Sequence, residues 1–338
     1  MRLGFFTRLL DDVDAGERYR LATEQIRCGE RFGLHSAWVA QHHFSASEGG
    51  LPSPLVFLAH VAAKTSRIRL GTGIITLPLE IPLRVAEDTS VLDLLSGGRL
   101  EVGLGPGGTP SSFASFGQDN AERTALFEGN LAALRSAWRG ETLAGGANRL
   151  YPSASGLPDR VWQATFTVYG GRRAGEAGDG LMLSRTQPRP QGSPGLTLAQ
   201  IQDPIIDGYL DALPPGRAAR ILASRSVFVA DDRAEARRLA AIGLRRQMAK
   251  MRAAVDRDDV DAMMRTADSH IGTPEEVIAS LAADRTLDRA TDVTFQVHSI
   301  DPPHRHILRC IELMATVVAP ALGWTREADA ETRLAAAQ

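Results

Sequence analysis

Short apolar runs alternate with longer segments of helical period along most of this chain, and that alternation points to a sheet of parallel strands. The runs are residues 3–6, 36–40, 68–77, 100–105, 161–165, 181–183, 221–230 and 292–297. Apolar residues recur at helical spacing over 18–32, 54–64, 82–95, 121–138, 171–177, 199–213, 233–255 and 303–319. A strand, a helix and a second strand return the chain to the same end of a sheet, so the strands lie parallel. Eight such units predict a closed (β/α)8, TIM-like barrel with loop insertions at its C-terminal face. An open doubly wound sheet is the other topology with this element order. No internal repeat or interdomain linker is visible, so residues 1–325 are expected to form a single barrel domain, with 326–338 as a C-terminal tail.

Local signals agree with these boundaries. Pro54 suits the first turn of a helix, Ser96-Gly97-Gly98 stops one, and Thr273-Pro274 opens one by capping and a preset φ. Residues 140–158 and 186–195, rich in Gly and Pro, read as long loops and as two candidate lids.

Composition excludes several classes of function. The chain has 338 residues, 43% of them hydrophobic, and a net charge of −2. That balance argues against nucleic acid as a partner, because such domains carry a basic excess. Cys28 and Cys310 lie far apart in helical patterns, so they read as buried small hydrophobes in a reducing compartment rather than as a disulfide. The N-terminal residues read as a strand, not a signal peptide, and no apolar stretch reaches bilayer length. A cytoplasmic location is expected. Metal-ligand spacing such as His-Glu-x-x-His is absent, and no metal is expected.

The chemistry should gather at the carboxyl ends of the strands. Gln41-His42-His43-Phe44 follows the second run, and histidine is the side chain that exchanges protons near neutral pH. If strand geometry persisted there, one histidine would face the mouth and the other would pack outward. Gly71 and Gly73 leave one face of the third strand bare. Either a flat ring lies there or the barrel interior is too crowded for a side chain. Gly103 to Pro110 forms a Gly-rich turn with exposed N–H groups, a weak phosphate signal without a Walker pattern. Thr165 to Arg173 combines hydroxyls, glycines and a helix start, which suits an anion. Arg185 ends the sixth strand and can pair with a phosphate, a carboxylate or an anionic ring. Gln296 and His298 are weaker candidates, and His304 and His306 read as surface or helix-start residues.

Several segments, in this order and spacing, resemble the luciferase-like flavin monooxygenase superfamily along nearly the whole chain. They are Trp38-Val39-Ala40-Gln41-His42-His43-Phe44, Leu70-Gly71-Thr72-Gly73-Ile74, Arg84-Val85-Ala86-Glu87-Asp88, Leu92-Asp93-Leu94-Leu95-Ser96-Gly97-Gly98-Arg99, Ala177-Gly178-Asp179-Gly180-Leu181 and Gly272-Thr273-Pro274-Glu275-Glu276. The resemblance implies a flavin-type ring over the barrel mouth, usually reduced FMN, with the deazaflavin F420 in some relatives. It assigns His42 to acid–base steps, and a cis peptide near Gly73–Ile74 with Thr72, Gly73 and Ile74 backing the ring. It places the phosphate at Gly105 and Gly107 after strand four and at Thr165, Thr167, Tyr169 and Gly170 after strand five. Two positions depart from bacterial luciferase, which has Glu where this chain has Gln41 and a phosphate-binding arginine where this chain has Pro106. Arg185 or Arg172 is then the replacement cation.

The implied activity is oxidation of a small organic substrate by O2 through a C4a-peroxyflavin, with reduced FMN supplied by a separate flavin reductase. The alternatives are F420-dependent hydride transfer and a flavin-binding protein without turnover. Relatives dimerise through helices near the second and third strands, so 54–64 and 82–95 are the expected homodimer faces.

Overall fold

The computed structural model describes residues 1–154, 156–190, 192–193 and 195–324. The tail expected at 326–338 lies outside them. Ten strands are present among the described residues: β1 (Arg2–Thr7), β2 (Ser36–Val39), β3 (Arg69–Thr72), β4 (Ile75–Thr76), β5 (Leu100–Gly105), β6 (Val161–Ala164), β7 (Gly180–Leu183), β8 (Ile221–Val229), β9 (Ser269–Gly272) and β10 (Asp292–Gln296). The sheet runs β10-β1-β2-β3-β5-β6-β7-β8, every pairing is parallel, and β8 closes the ring by pairing with β10. This is a closed (β/α)8 barrel. No edge strand remains in the ring, so the ladder groups that an open sheet would leave unpaired find partners.

The helices are α1 (Ala15–Arg31), α2 (Pro54–Ala62), α3 (Pro82–Ser96), α4 (Pro110–Ser115), α5 (Arg123–Trp138), α6 (Val168–Glu176), α7 (Leu198–Asp211), α8 (Arg233–Met251), α9 (Val260–Thr266), α10 (Pro274–Ala282) and α11 (His304–Leu313). Their ends follow local chemistry. The Asp14 side chain accepts from the Glu17 N–H to start α1, Gly97 at φ 69° closes α3, and Thr273 with Glu276 forms a capping box at α10.

Four features differ from the sequence expectations. The third strand, expected as one run over 68–77, breaks after Thr72 and resumes as β4 against β5, while the cis Gly73–Ile74 peptide in the break is where the family resemblance put it. At the break the Thr72 hydroxyl donates to Gly103 O at 2.8 Å and accepts from Gly103 N at 2.9 Å, so a side chain bridges the parted backbones. A ninth position in the sheet, β9, pairs with the outer half of β8, whose inner half closes the barrel. Helix α4 follows the Gly-rich turn, which apolar spacing could not reveal in a six-residue helix. Finally, the loop at 140–158 is no lid. It leads from a helix into β6, so it lies at the amino ends of the strands, where its Ala154 and Leu157 are buried.

The barrel interior is crowded. Trp38 and Trp162 meet edge to face, with centroids 5.8 Å apart and an 87° interplanar angle. In the ladder, Trp38 pairs with Gly71 and Trp162 with Gly180. A Cβ on Gly71 would lie 2.2 Å from Trp38 Cε3, and one on Gly180 2.2 Å from Trp162 Cε3. Crowding is therefore the reason for Gly71. Gly71→Ala is expected to lower the unfolding free energy by about 1–3 kcal/mol, the usual cost of overpacking a core. Urea denaturation checks this, and an unchanged midpoint would show that the indole has room to move.

Candidate functional site

A cavity of about 440 Å³ opens where the strands end. That is the size range of small-molecule and cofactor sites. Its floor is the upper surface of the tryptophan layer, with Phe6, Ile74, Ala164, Met182 and Leu222 packed on Trp38 and Trp162. Gly73 belongs to this wall too, and a Cβ there would lie 2.5 Å from the Phe6 ring.

Both histidines of the pair line the cavity, because β2 ends at Val39 and the alternation of faces ends with it. The His42 backbone N–H donates to Leu51 O at 3.0 Å. The imidazole is seated against Gly49, where a Cβ would fall 2.4 Å from His42 Cδ2. Burial, then the nearby Arg8 guanidinium, push the His42 pKa down to about 3. The ring is therefore neutral at pH 7. His43 is edge-on to Phe116 at 4.9 Å, and its buried Nε2 has no hydrogen-bond partner among the described residues.

Gln41 does not act on His42 through its side chain. Its amide donates to Glu80 Oε1 at 2.7 Å and Pro52 O at 3.1 Å, while its oxygen accepts from Thr76 N at 2.7 Å. It clamps the end of β2 to β4, so the Glu-to-Gln departure bears on this clamp.

The structure gathers only part of the sequence-derived set. His42, Gly73, Ile74, Gly105, Gly107, Thr165 and Arg185 line one cavity. Thr72 is occupied between β3 and β5 and is off the wall. Thr167 caps α6 by accepting from Gly170 N at 3.1 Å, and Gly170 packs against Thr165. Tyr169 is exposed and donates to Glu128 Oε1 at 2.9 Å. Arg172 is exposed on α6. None of these last four residues, Thr167, Gly170, Tyr169 and Arg172, reaches the cavity wall.

Sequence reasoning missed Arg8, Glu48 and Ser224, which line the same cavity. Arg8 sits just past β1, a strand-end position that signals the mouth, but a lone arginine after a strand has no distinguishing pattern. Gln296 at the end of β10 donates to Ser224 Oγ at 3.2 Å and leaves its own buried oxygen unpaired. His298 pairs its Nδ1 with Asp301 Oδ2 at 2.7 Å, and burial lowers its pKa to about 4.

These residues fit a flavin-type ring. The floor is apolar, the unpaired His43 Nε2 and Gln296 oxygen offer hydrogen bonds at the rim, and a Cβ on Gly108 would meet nothing within 4 Å. Among the described residues no group of three His, Cys, Asp or Glu is placed to hold a metal, and no helix is long and apolar enough to cross a membrane.

The depressed histidines set a pH dependence. His42 and His298 bind protons near pH 6.5 when unfolded but only near 3 and 4 when folded. The unfolded state then holds more protons below pH 6.5, so stability falls as pH drops from 6.5 to 5, by up to about 1.4 kcal/mol per pH unit for each histidine. Thermal melts of the ligand-free protein check this, and His42→Gln should flatten the slope.

The sequence and the fold have clear likenesses among known proteins. A family model described as luciferase-like monooxygenase matches residues 1–289. The chain is 34% identical over 218 residues to 4-hydroxyprotoasukamycin monooxygenase of Streptomyces nodosus subsp. asukaensis, covering 61% of this chain and 58% of that relative. It therefore spans under two thirds of that relative's length. It is 26% identical over 174 residues to the oxygenase component of flavin-dependent trigonelline monooxygenase from Acinetobacter baylyi, covering 50% and 48% of the two chains. The crystal structure of a monooxygenase from Streptomyces bottropensis superposes with a TM-score of 0.77 at 27% identity, covering 95% of this chain and 100% of that one. With that family model matching residues 1–289, most of its length, the chain belongs to the luciferase-like monooxygenase family.

Proposed function

We propose that this protein is the oxygenase component of a two-component monooxygenase that uses reduced FMN, delivered by a separate reductase, and O2 to oxidise a small organic substrate. The observation that carries this reading is a neutral, buried His42 on the wall of a cavity floored by Phe6, Gly73, Ile74 and Met182. When bound, reduced FMN supplies the electrons that activate O2. The chain's residues do the rest. The apolar floor receives the ring and keeps water from its lower face. The Gly105 to Gly108 backbone leaves space for the phosphate side, with Thr165 beside it. Neutral His42 presents one imidazole nitrogen that donates and one that accepts, so it can relay a proton without holding the positive charge that burial disfavours. Thr186 lines the mouth just past β7, so the lid expected at 186–195, of which 191 and 194 lie outside the described residues, starts there in this reading.

Anaerobic titration with reduced FMN, and separately with reduced F420, distinguishes this reading from hydride transfer. Preference for FMN, with O2 reacting at a rate unlike that of free flavin, is the expected result. His42→Ala should leave FMN affinity nearly unchanged while slowing the reaction with O2 by about a hundredfold or more, the scale of a lost proton-transfer group. Tight F420 binding with weak FMN binding would transfer the reading to the hydride enzyme. FMN binding with a reaction rate that His42→Ala does not alter would favour a carrier.

The reading includes a homodimer. Val56 on α2 is 74% exposed, and Leu94 and Leu95 at the end of α3 are 65% and 66% exposed. Val56 stands at the mouth end of α2 and the two leucines at the far end of α3, so exposed apolar side chains run along two adjoining helices, which favours burial against another surface. A second copy of this chain is the proposed occupant. Sedimentation at micromolar concentration should give a dimer, and Val56→Arg with Leu94→Arg should give a folded monomer.

A further inference from the structure

We infer that the substrate carries a carboxylate, and that Arg8 and Arg185 bind it on the His42 side of the cavity. This inference deepens the oxygenase reading and rests on it for the reaction, though not for binding.

Both guanidiniums line the cavity. Arg185 is only 3% exposed, yet its one hydrogen bond among the described residues runs from Nη1 to Ser299 Oγ at a long 3.4 Å. No carboxylate of the described residues forms an ion pair with it. Arg8 donates from Nη2 to Glu48 O, and its buried Nε has no partner. Three carboxylates lie nearby and each is engaged elsewhere, Asp268 by Arg189 at 2.8 Å. Asp301 accepts from His298 and lies 3.5 Å from Arg246, and the Glu48 carboxylate faces Lys250 at 3.8 Å. Other buried arginines here are treated differently. Fully buried Arg225 is paired with Asp284 at 2.5 Å and hydrogen-bonded to Gln202. Burying a charge without a partner is costly, and a ligand anion at this position removes the cost. Burial, then the like charge of Arg8, pulls Arg185 down to about 9, with Asp301 and Asp268 offsetting only part of it.

Barrel order puts Arg185 next to the phosphate side, because β7 pairs with β6, but its Nη1 reaches across to Ser299 past β10, beside the strand that Arg8 follows. Arg185 follows β7, Ser299 follows β10, Arg8 follows β1 and His42 follows β2. The ring reads β7-β8-β10-β1-β2 along that arc. The Gly-rich turn and Thr165 follow β5 and β6 on the other arc. The cavity therefore has two anion-accepting sides, and a planar carboxylate matches the fork of a guanidinium. Held there, the substrate lies beside His42 and over the ring floor.

The test is ligand binding to the wild-type chain, with and without FMN, using benzoate and octanoate against benzamide and octanamide. The expected result is thermal stabilisation by at least one carboxylate and by neither amide. Arg185→Met should weaken that carboxylate by about tenfold or more, the size of a lost charge-assisted hydrogen bond. It should also raise the melting temperature of the ligand-free protein, because an unpaired buried charge is removed. A purely structural arginine would lower it. Equal effects of acids and amides, or no effect of either acid, overturn the proposal. So does a variant that binds FMN about tenfold more weakly but riboflavin normally, since the guanidiniums would then hold the flavin phosphate. Carboxylate binding to a protein that takes no flavin would sustain this inference while removing the oxygenase reading.

Discussion

The layer formed by Trp38 and Trp162 is the constraint on which the rest of the site depends. Two indoles cannot share the interior of an eight-stranded barrel unless neighbouring strands yield space, and Gly71 and Gly180 yield it in register. Closure of the ring holds those registers, because a strand cannot slip when both its edges are bonded. The indoles fill the barrel axis, and Phe6, Ile74, Ala164, Met182 and Leu222 cover them. A flat apolar floor results at the height where the strands end. Everything chemical in the molecule stands on that floor.

The electrostatics of the cavity follow from its dryness. Burial opposes charge, so His42 and His298 are neutral and the pKa values of Arg8 and Arg185 fall. Elsewhere the fold neutralises its buried charges with care. Arg160 clamps Asp93 through two contacts at 2.6 and 2.7 Å, and Arg69 reaches Glu101 at 2.5 Å. The contrast with the cavity arginines is what separates groups serving the fold from groups left free for a ligand. The trade is a general one, in which an active site gives up stability that the surrounding structure supplies.

Much of this was legible in the amino-acid order. The eight apolar runs correspond to barrel strands because a parallel strand buried on both faces must be apolar throughout. The ends of α3 and α10 were legible because capping depends on residues within one turn. His42, Gly105, Gly107, Thr165 and Arg185 could be picked out by their place at strand ends, and Gly73 as a glycine within the third apolar run. Thr72, Thr167, Tyr169 and Gly170 stood in equally promising places, yet their side chains or packing serve β5, the α6 cap, Glu128 and Thr165. Spacing cannot tell a donor aimed at a ligand from one already satisfied. The loop at 140–158 shows the same limit, since its composition suggests mobility but only its place after a helix sets the end of the barrel to which it belongs.

By itself, then, the chain's order determined the barrel, its strand sequence and the cluster of histidines and glycines at the mouth. Hydrophobic period and turn chemistry act over a few residues and are written locally. The tertiary structure alone decided that both histidines face one cavity, that Gln41 clamps β4 rather than tuning His42, and that Arg8 and Arg185 line that cavity with no ion pair among the described residues. Those outcomes depend on contacts between residues as far apart as Arg185 and Ser299, and on how much water each contact excludes. No local pattern encodes either.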